Sequence, residues 1–121
     1  MFTRLILTLA LLGYAGAQPP GPSGKRRALV IGNDDYRSLP AVPAAAQDAE
    51  LMSQALKGAG FEVDSVRNLT VSDSFTKSDF LTKENEFLKR VSAGDICFVY
   101  YSGYAVQGDQ EDDNYLLPVN F

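Results

Sequence analysis

The sequence predicts an α/β fold, a parallel sheet with helices on both faces. Two unbroken apolar runs, Ala28–Gly32 and Ile96–Tyr101, read as strands of such a sheet. Two segments between and around them carry apolar residues at helical spacing. The resulting order is β-α-β-α-β, with helices long enough to be crossovers. That order calls for parallel pairing with right-handed connections. Three parallel strands are few for an open sheet, so the sheet reads as incomplete.

Ala28-Leu29-Val30-Ile31-Gly32 has no polar position, as expected of a strand buried on both faces. Lys25-Arg26-Arg27 before it reads as a solvated strand entry. Residues 33–43 carry two prolines and read as a loop. Residues 44–57 read as a helix with Leu51, Met52, Ala55 and Leu56 on its inner face. Pro43 suits its first turn, and Gly58 and Gly60 end it. Phe61-Glu62-Val63-Asp64 alternates and reaches Val66, which predicts a strand with one more exposed face. Thr76-Lys77-Ser78-Asp79 has the pattern of a capping box. The helix it opens would run to about Ser92, with Phe80, Leu81, Phe87, Leu88 and Val91 inward and Gly94 closing it. Asn114–Pro118 reads as a short extended piece. No internal repeat is visible.

The chain has 121 residues, one domain at most. Its formal charge of −4 and pI near 4.7 argue against nucleic acid or anionic lipid as partners. Residues 1–17 read as a secretory signal peptide. Arg4 is followed by the apolar run Leu5–Leu12 and by Ala15-Gly16-Ala17, with cleavage expected after Ala17. The run is too short to span a bilayer. The mature chain would be exported, periplasmic or secreted, and not held at a membrane. Without Arg4 it carries 10 basic and 15 acidic residues, a net of −5. Residues 18–25, rich in proline and glycine, read as a linker, and residues 26–121 as the domain.

Cys97 is the one cysteine, so no intrachain disulfide can form. Inside an apolar strand it is expected to be a buried small hydrophobe. The chain has no histidine. That removes the commonest general base and metal ligand, and no Cys/His zinc site can be built.

In parallel sheets, functional residues gather beyond the carboxyl ends of the strands. Two loops qualify, residues 33–43 and residues 102–113. The end of the third strand and the start of the second loop read Tyr100-Tyr101-Ser102-Gly103-Tyr104-Ala105-Val106-Gln107. Taken with Arg27–Asn33, Tyr36, Gln47-Asp48-Ala49, Leu56–Phe61 and Asn114–Pro118, this resembles the large-subunit half of the caspase-like cysteine peptidases, family C14. The likeness is greatest to the bacterial metacaspase or orthocaspase branch and covers about residues 26–121.

The resemblance implies a caspase-like, three-layer α/β/α domain, present as its N-terminal part. The family pattern after the third strand is Tyr-Ser-Gly-His-Gly, with the histidine as catalytic base. Tyr104 stands at that position and Ala105 at the next glycine. The family's nucleophilic cysteine follows a fourth strand, beyond residue 121. A phenol titrates near pH 10, so it is a donor at neutral pH and no ready base. Tyr104 is therefore also readable as a loop aromatic packed on the sheet edge.

The resemblance assigns Asp48 and Ser102 to a pocket for a basic residue of the substrate. Asp48 is alternatively an acid favoured by the dipole near a helix start. Asp34-Asp35 is similar to the paired acids of receiver domains. Those also need an acid after the third strand, where this chain has Ser102-Gly103-Tyr104. Asp109, Glu111, Asp112 and Asp113 form an acidic loop, readable as solvated or as a weak Ca²⁺ site of the kind some metacaspases carry. No other cofactor is expected. Asn68-Leu69-Thr70 matches a glycosylation sequon. The expected function is peptide or protein binding by a domain without its catalytic pair, with homodimerisation through the open sheet edge. The alternative is the front part of an Arg/Lys-directed cysteine endopeptidase.

Overall fold

Sheet register organises the chain around its first strand. The computed structural model describes residues 24–70, 78–108 and 114–121, with residues 78–81 as backbone. The signal segment, most of the linker, Thr76 and Lys77 of the capping box, the side chains of Phe80 and Leu81 and the acidic loop lie outside the described residues. The elements are β1 (Arg26–Gly32), α1 (Pro43–Gly58), β2 (Glu62–Arg67), α2 (Ser78–Leu88), β3 (Ile96–Ser102), β4 (Ala105–Gln107) and β5 (Asn114–Leu116). Strands β2, β1 and β3 lie side by side in that order, all parallel. This is the predicted α/β architecture.

The central position of β1 explains its composition. Ala28, Leu29, Val30 and Ile31 are all nearly or wholly buried. Because side chains alternate along a strand, they divide between two cores. Ala28 and Val30 join Ala49 and Leu56 of α1 and Tyr100 of β3. Leu29 and Ile31 join Phe87 of α2, Leu69 and Tyr101 on the opposite face.

Helix α1 begins at Pro43, which needs no amide partner in the first turn. Its buried residues are Ala45, Ala49, Ser53 and Leu56, with Met52 packed beside them. The expected inner face is therefore corrected by a partial rotation: Leu51 is 57% exposed and Ala55 is also outside. The cause is a close approach at Gly32. A Cβ there would fall 2.7 Å from the Ala49 Cβ and 2.9 Å from the Ala45 carbonyl oxygen. Only small residues can face Gly32, so the larger Leu51 turns outward. Gly32→Ala should lower stability by about 2 kcal/mol through overpacking against helix backbone. Thermal unfolding followed by circular dichroism measures it, with α1 helicity as the accompanying signal.

Helix α2 ends at Leu88, four residues before the expected Ser92. Phe87 is 2% exposed, as expected, and Val91 packs against the same core from the following turn. Leu88 is a correction, since it points outward at 49% exposure.

Strand β3 departs from expectation in its first half. Tyr100, Tyr101 and Ser102 are buried, whereas Ile96, Cys97 and Val99 are exposed. The buried-core reading of Cys97 is thus overturned. β3 is an edge strand, and the core beneath α2 reaches Tyr101 but not the Cys97 and Val99 end of the same face. An apolar run alone cannot distinguish a central strand from an edge strand.

Arg27 is the second surprise at the strand entry. Its guanidinium lies 2.6 Å from Glu62 and 3.3 Å from Asp95, and its side chain is mostly buried. Asp95 also accepts the amides of Lys25 and Ser92, at 2.8 and 2.9 Å. The expected solvated entry therefore holds for Lys25 and Arg26 but not for Arg27.

Candidate functional site

The carboxyl end of the sheet is built on Asn33, which is fully buried. Its amide donates to the Ser102 carbonyl at 2.9 Å. Its side-chain Oδ1 accepts the Leu69 amide at 2.9 Å, and its Nδ2 donates to the Leu117 carbonyl at 3.0 Å. Through its side chain this residue ties together the segments that follow β1, β2 and β5, and through its backbone N–H it joins them to the end of β3. The strap after β5 completes the lacing: Val119 donates to Leu69 O at 2.9 Å and accepts from the Arg37 amide at 2.8 Å.

A second set of bonds fixes the turn after β3. Tyr36 and Tyr101 are both buried, with their hydroxyls 3.1 Å apart. The Tyr104 amide donates to Tyr36 Oη at 2.9 Å. The Tyr104 carbonyl accepts from Tyr101 Oη at 2.8 Å and from the Leu117 amide at 2.9 Å. Burial, reinforced by the neighbouring Tyr36 hydroxyl, pushes the Tyr101 phenol far above its usual range, so it stays a donor. Gly103 passes directly over the pair. A Cβ there would lie 2.5 Å from Tyr36 Oη and 2.7 Å from Tyr101 Oη, so no larger residue fits.

The Tyr104 ring meets Tyr36 edge-on, with centroids 4.9 Å apart and planes at 69°. It belongs to a third apolar cluster with Leu117, Val119, Leu39, Val42 and Val106. Strand β4 follows at once and pairs antiparallel with β5, Ala105 opposite Leu116 and Gln107 opposite Asn114. The extended piece at residues 114–118 was expected; its partner β4, inside the expected loop, was not.

Ser102 ends β3 at 5% exposure and stands beside Gly32 in the sheet register. Asp48 precedes Ala49, whose methyl crowds Gly32. Ser102 and the α1 turn carrying Asp48 therefore adjoin the same glycine. Asp48 is half-buried and lies on the row of Leu51 and Ala55, which the structure turns outward. An open groove of about 290 Å³ lies next to this turn, lined by Gly32, Gln47, Glu50, Ser65 and Arg67 among others.

Asp34 and Asp35 are placed at the same end but serve the fold. The Arg67 guanidinium bonds Asp34 at 2.7 Å and holds its carboxyl below the usual range. The amides of Asp34 and Asp35 both donate to Asn68 Oδ1, at 3.0 and 3.1 Å. Asn68 sits at φ 53°, the left-handed region that asparagine tolerates. Its side-chain oxygen is thereby engaged within the sequon. Among the described residues no group of three or more acids, histidines or cysteines is arranged to hold a metal. Nor does any helix among them have the length and apolarity to cross a membrane.

At the other end of the sheet, the carboxyl of Asp95 is held low by the amides of Ser92 and Lys25 and then by Arg27. Asp34 and Asp95 give a signed expectation for pH. Both carboxyls titrate lower folded than unfolded, so each stabilises the fold above the unfolded carboxylate range. That contribution is lost as pH falls below about 4. Urea midpoints should therefore be flat near neutrality and drop in acid, less so in Asp95→Asn, which cannot titrate there.

Cys97 lies opposite Arg27 in the register, at the amino end of β3. It lies five positions before Ser102, about 16 Å along a strand. It is exposed, yet far from the loops at the carboxyl end.

Sequence reasoning named Tyr36 only as part of a pattern and gave Asn33 and Tyr101 no role. The side-chain partners of Asn33 lie 36 and 84 positions away along the chain, and the two tyrosines that share a hydroxyl contact are 65 apart. The available signal was composition: a buried strand end followed by asparagine, and tyrosines in a segment otherwise apolar.

Comparison with known proteins agrees with this architecture. The family model of the caspase domain, peptidase C14, matches residues 25–121. Metacaspase-2 of Trypanosoma brucei brucei is 29% identical over 126 residues, covering 90% of this chain and 36% of that protein. Metacaspase-3 of the same organism is 28% identical over 123 residues, covering 88% of this chain and 34% of that protein. The chain thus spans about a third of the length of these curated relatives. With a parallel sheet faced by helices and a family match over residues 25–121, the chain belongs to the peptidase C14 caspase-domain family.

Proposed function

We propose that this chain is a caspase-like domain that binds peptides or protein partners without cutting them. The observation that carries the reading is the absence of histidine from the whole chain, with Tyr104 following the Tyr-Ser-Gly segment. A cysteine peptidase needs a thiolate kept beside a cation. A neutral phenol supplies none. The packing of the Tyr104 ring onto Tyr36 supports a structural role for that side chain.

In this reading Asp48 and Ser102 form the recognition pocket, with Asp48 facing the guanidinium or ammonium of a bound Arg or Lys. Their common neighbour Gly32 supports the pairing. Equilibrium binding of an Arg-ended peptide tests it. Asp48→Ala should weaken binding about tenfold, the worth of one charge-assisted hydrogen bond. An unchanged affinity would remove Asp48 from the pocket.

A second reading makes this the front part of an Arg/Lys-directed cysteine endopeptidase whose nucleophile lies beyond residue 121. The coverage of about a third of the metacaspase relatives favours it. Export through residues 1–17 belongs to both readings, and secretion of a reporter fused to those residues tests it. The edge position of β3 among the described residues supports the expected homodimer, which sedimentation at rising concentration would reveal.

A further inference from the structure

We infer that the hydroxyls of Tyr36 and Tyr101 are positioning groups that clamp the backbone of residue 104 from both sides, fixing where its side chain is presented relative to Ser102. The functional part of this inference rests on the reading of Ser102 as a recognition residue.

The geometry is specific to one residue. The Tyr104 amide is held by Tyr36 at 2.9 Å and its carbonyl by Tyr101 at 2.8 Å. Both polar groups of one residue are thus bonded to phenols that start from different elements, Tyr36 in the loop after β1 and Tyr101 within β3. Each phenol has one proton. Tyr36 Oη must accept from the Tyr104 amide, so its own proton goes to Leu117 O at 3.2 Å or to Tyr101 Oη. Tyr101 can then give its proton to the Tyr104 carbonyl. The rings are held in turn. Tyr36 lies in the third cluster with Leu117 and Val119, and Tyr101 lies in the core under α2. Gly103 is the residue that lets the turn approach this closely.

The two hydroxyls are not equivalent. The Tyr104 carbonyl keeps a second donor, the Leu117 amide at 2.9 Å. Tyr36 Oη is the partner assigned to the Tyr104 amide. Loss of the Tyr36 hydroxyl should therefore release the turn more than loss of the Tyr101 hydroxyl. The clamp acts on backbone and does not depend on which side chain occupies position 104. A general contribution of buried hydroxyls to stability would instead weaken the whole domain evenly.

Amide hydrogen exchange of the purified chain, read residue by residue by NMR, separates the two. Tyr36→Phe keeps the ring against Tyr104 and removes only the hydroxyl. Exchange at the Tyr104 amide should rise roughly 10- to 100-fold. The amides of Val30 and Ile31 in the central strand should change by less than about threefold. A common factor at all three sites, or no change at Tyr104, would overturn the clamp. If Tyr36→Phe does not fold, the wild-type chain still decides. A Tyr104 amide exchanging at least about 100-fold slower than an open loop amide supports the clamp, and one exchanging at the open rate overturns it. For the functional part, an Arg-ended peptide that binds wild type should bind Tyr36→Phe about fivefold more weakly. Equal binding with a released turn would show that the clamp does not serve recognition. Absence of binding by wild type would sink the recognition reading and leave the exchange result to judge the clamp alone.

Discussion

Asn33→Ala should lower the unfolding free energy by about 3 kcal/mol, the largest stability loss expected from any single polar change in the domain. Asn33 has no exposed surface, and both ends of its amide are used. Truncation leaves the Leu69 amide without its side-chain acceptor and takes one donor from the Leu117 carbonyl. Each such loss costs roughly 1–3 kcal/mol when the group is buried. The Leu117 carbonyl retains Tyr36 and Tyr101 as neighbours, at 3.2 and 3.0 Å, which places the expected total below the sum of two full penalties. Urea unfolding at constant slope measures the change. A loss under about 1 kcal/mol would mean that water replaces the side chain and that the lacing of the loops does not depend on it.

The second large effect concerns activity. Tyr104→His, made in a parent protein that supplies a cysteine after a further strand beyond residue 121, should raise kcat/KM toward Arg or Lys substrates on the order of 10³-fold. The physical basis is that the backbone at 104 is held through its own N–H and carbonyl, so the substitution changes the side chain and not the turn. The edge-on contact of Tyr104 with Tyr36 would be reduced, costing about 1 kcal/mol of stability. In the chain as it stands the same substitution should yield no peptidase activity, because Cys97 lies at the far end of β3. No rise in the parent would mean that position 104 does not coincide with the family's base.

The elements that were legible in the sequence share one property, a pattern set by a single partner surface. Ala28–Gly32 is apolar throughout because both faces of β1 are covered, and Pro43 and the glycines after Lys57 mark the helix between its neighbours. What escaped depended on the position of an element among others. Cys97 and Val99 belong to a run as apolar as β1, but edge placement uncovers them. The face of α1 turned because Gly32 accepts only Ala45 and Ala49, a constraint lying on another element. Arg27 looked like a solvated cation until Glu62 and Asp95 met it across the sheet. The loops at the carboxyl end of the sheet were legible, and Ser102 and Tyr104 fall there; the pocket role of Asp48 and Ser102 belongs to the proposal. The scaffold of those loops, Asn33, Tyr36 and Tyr101, was not legible, since hydrogen bonds between distant segments leave no periodicity.

Recognition without cleavage is open to one direct experiment. The purified chain is incubated with a labelled peptide containing internal Arg and Lys, with binding followed by fluorescence anisotropy and peptide integrity by mass spectrometry. The expected result is saturable binding that free arginine competes away, with a peptide that stays intact throughout. Cleavage after Arg or Lys that a thiol-directed inhibitor titrates in proportion to the chain would contradict it.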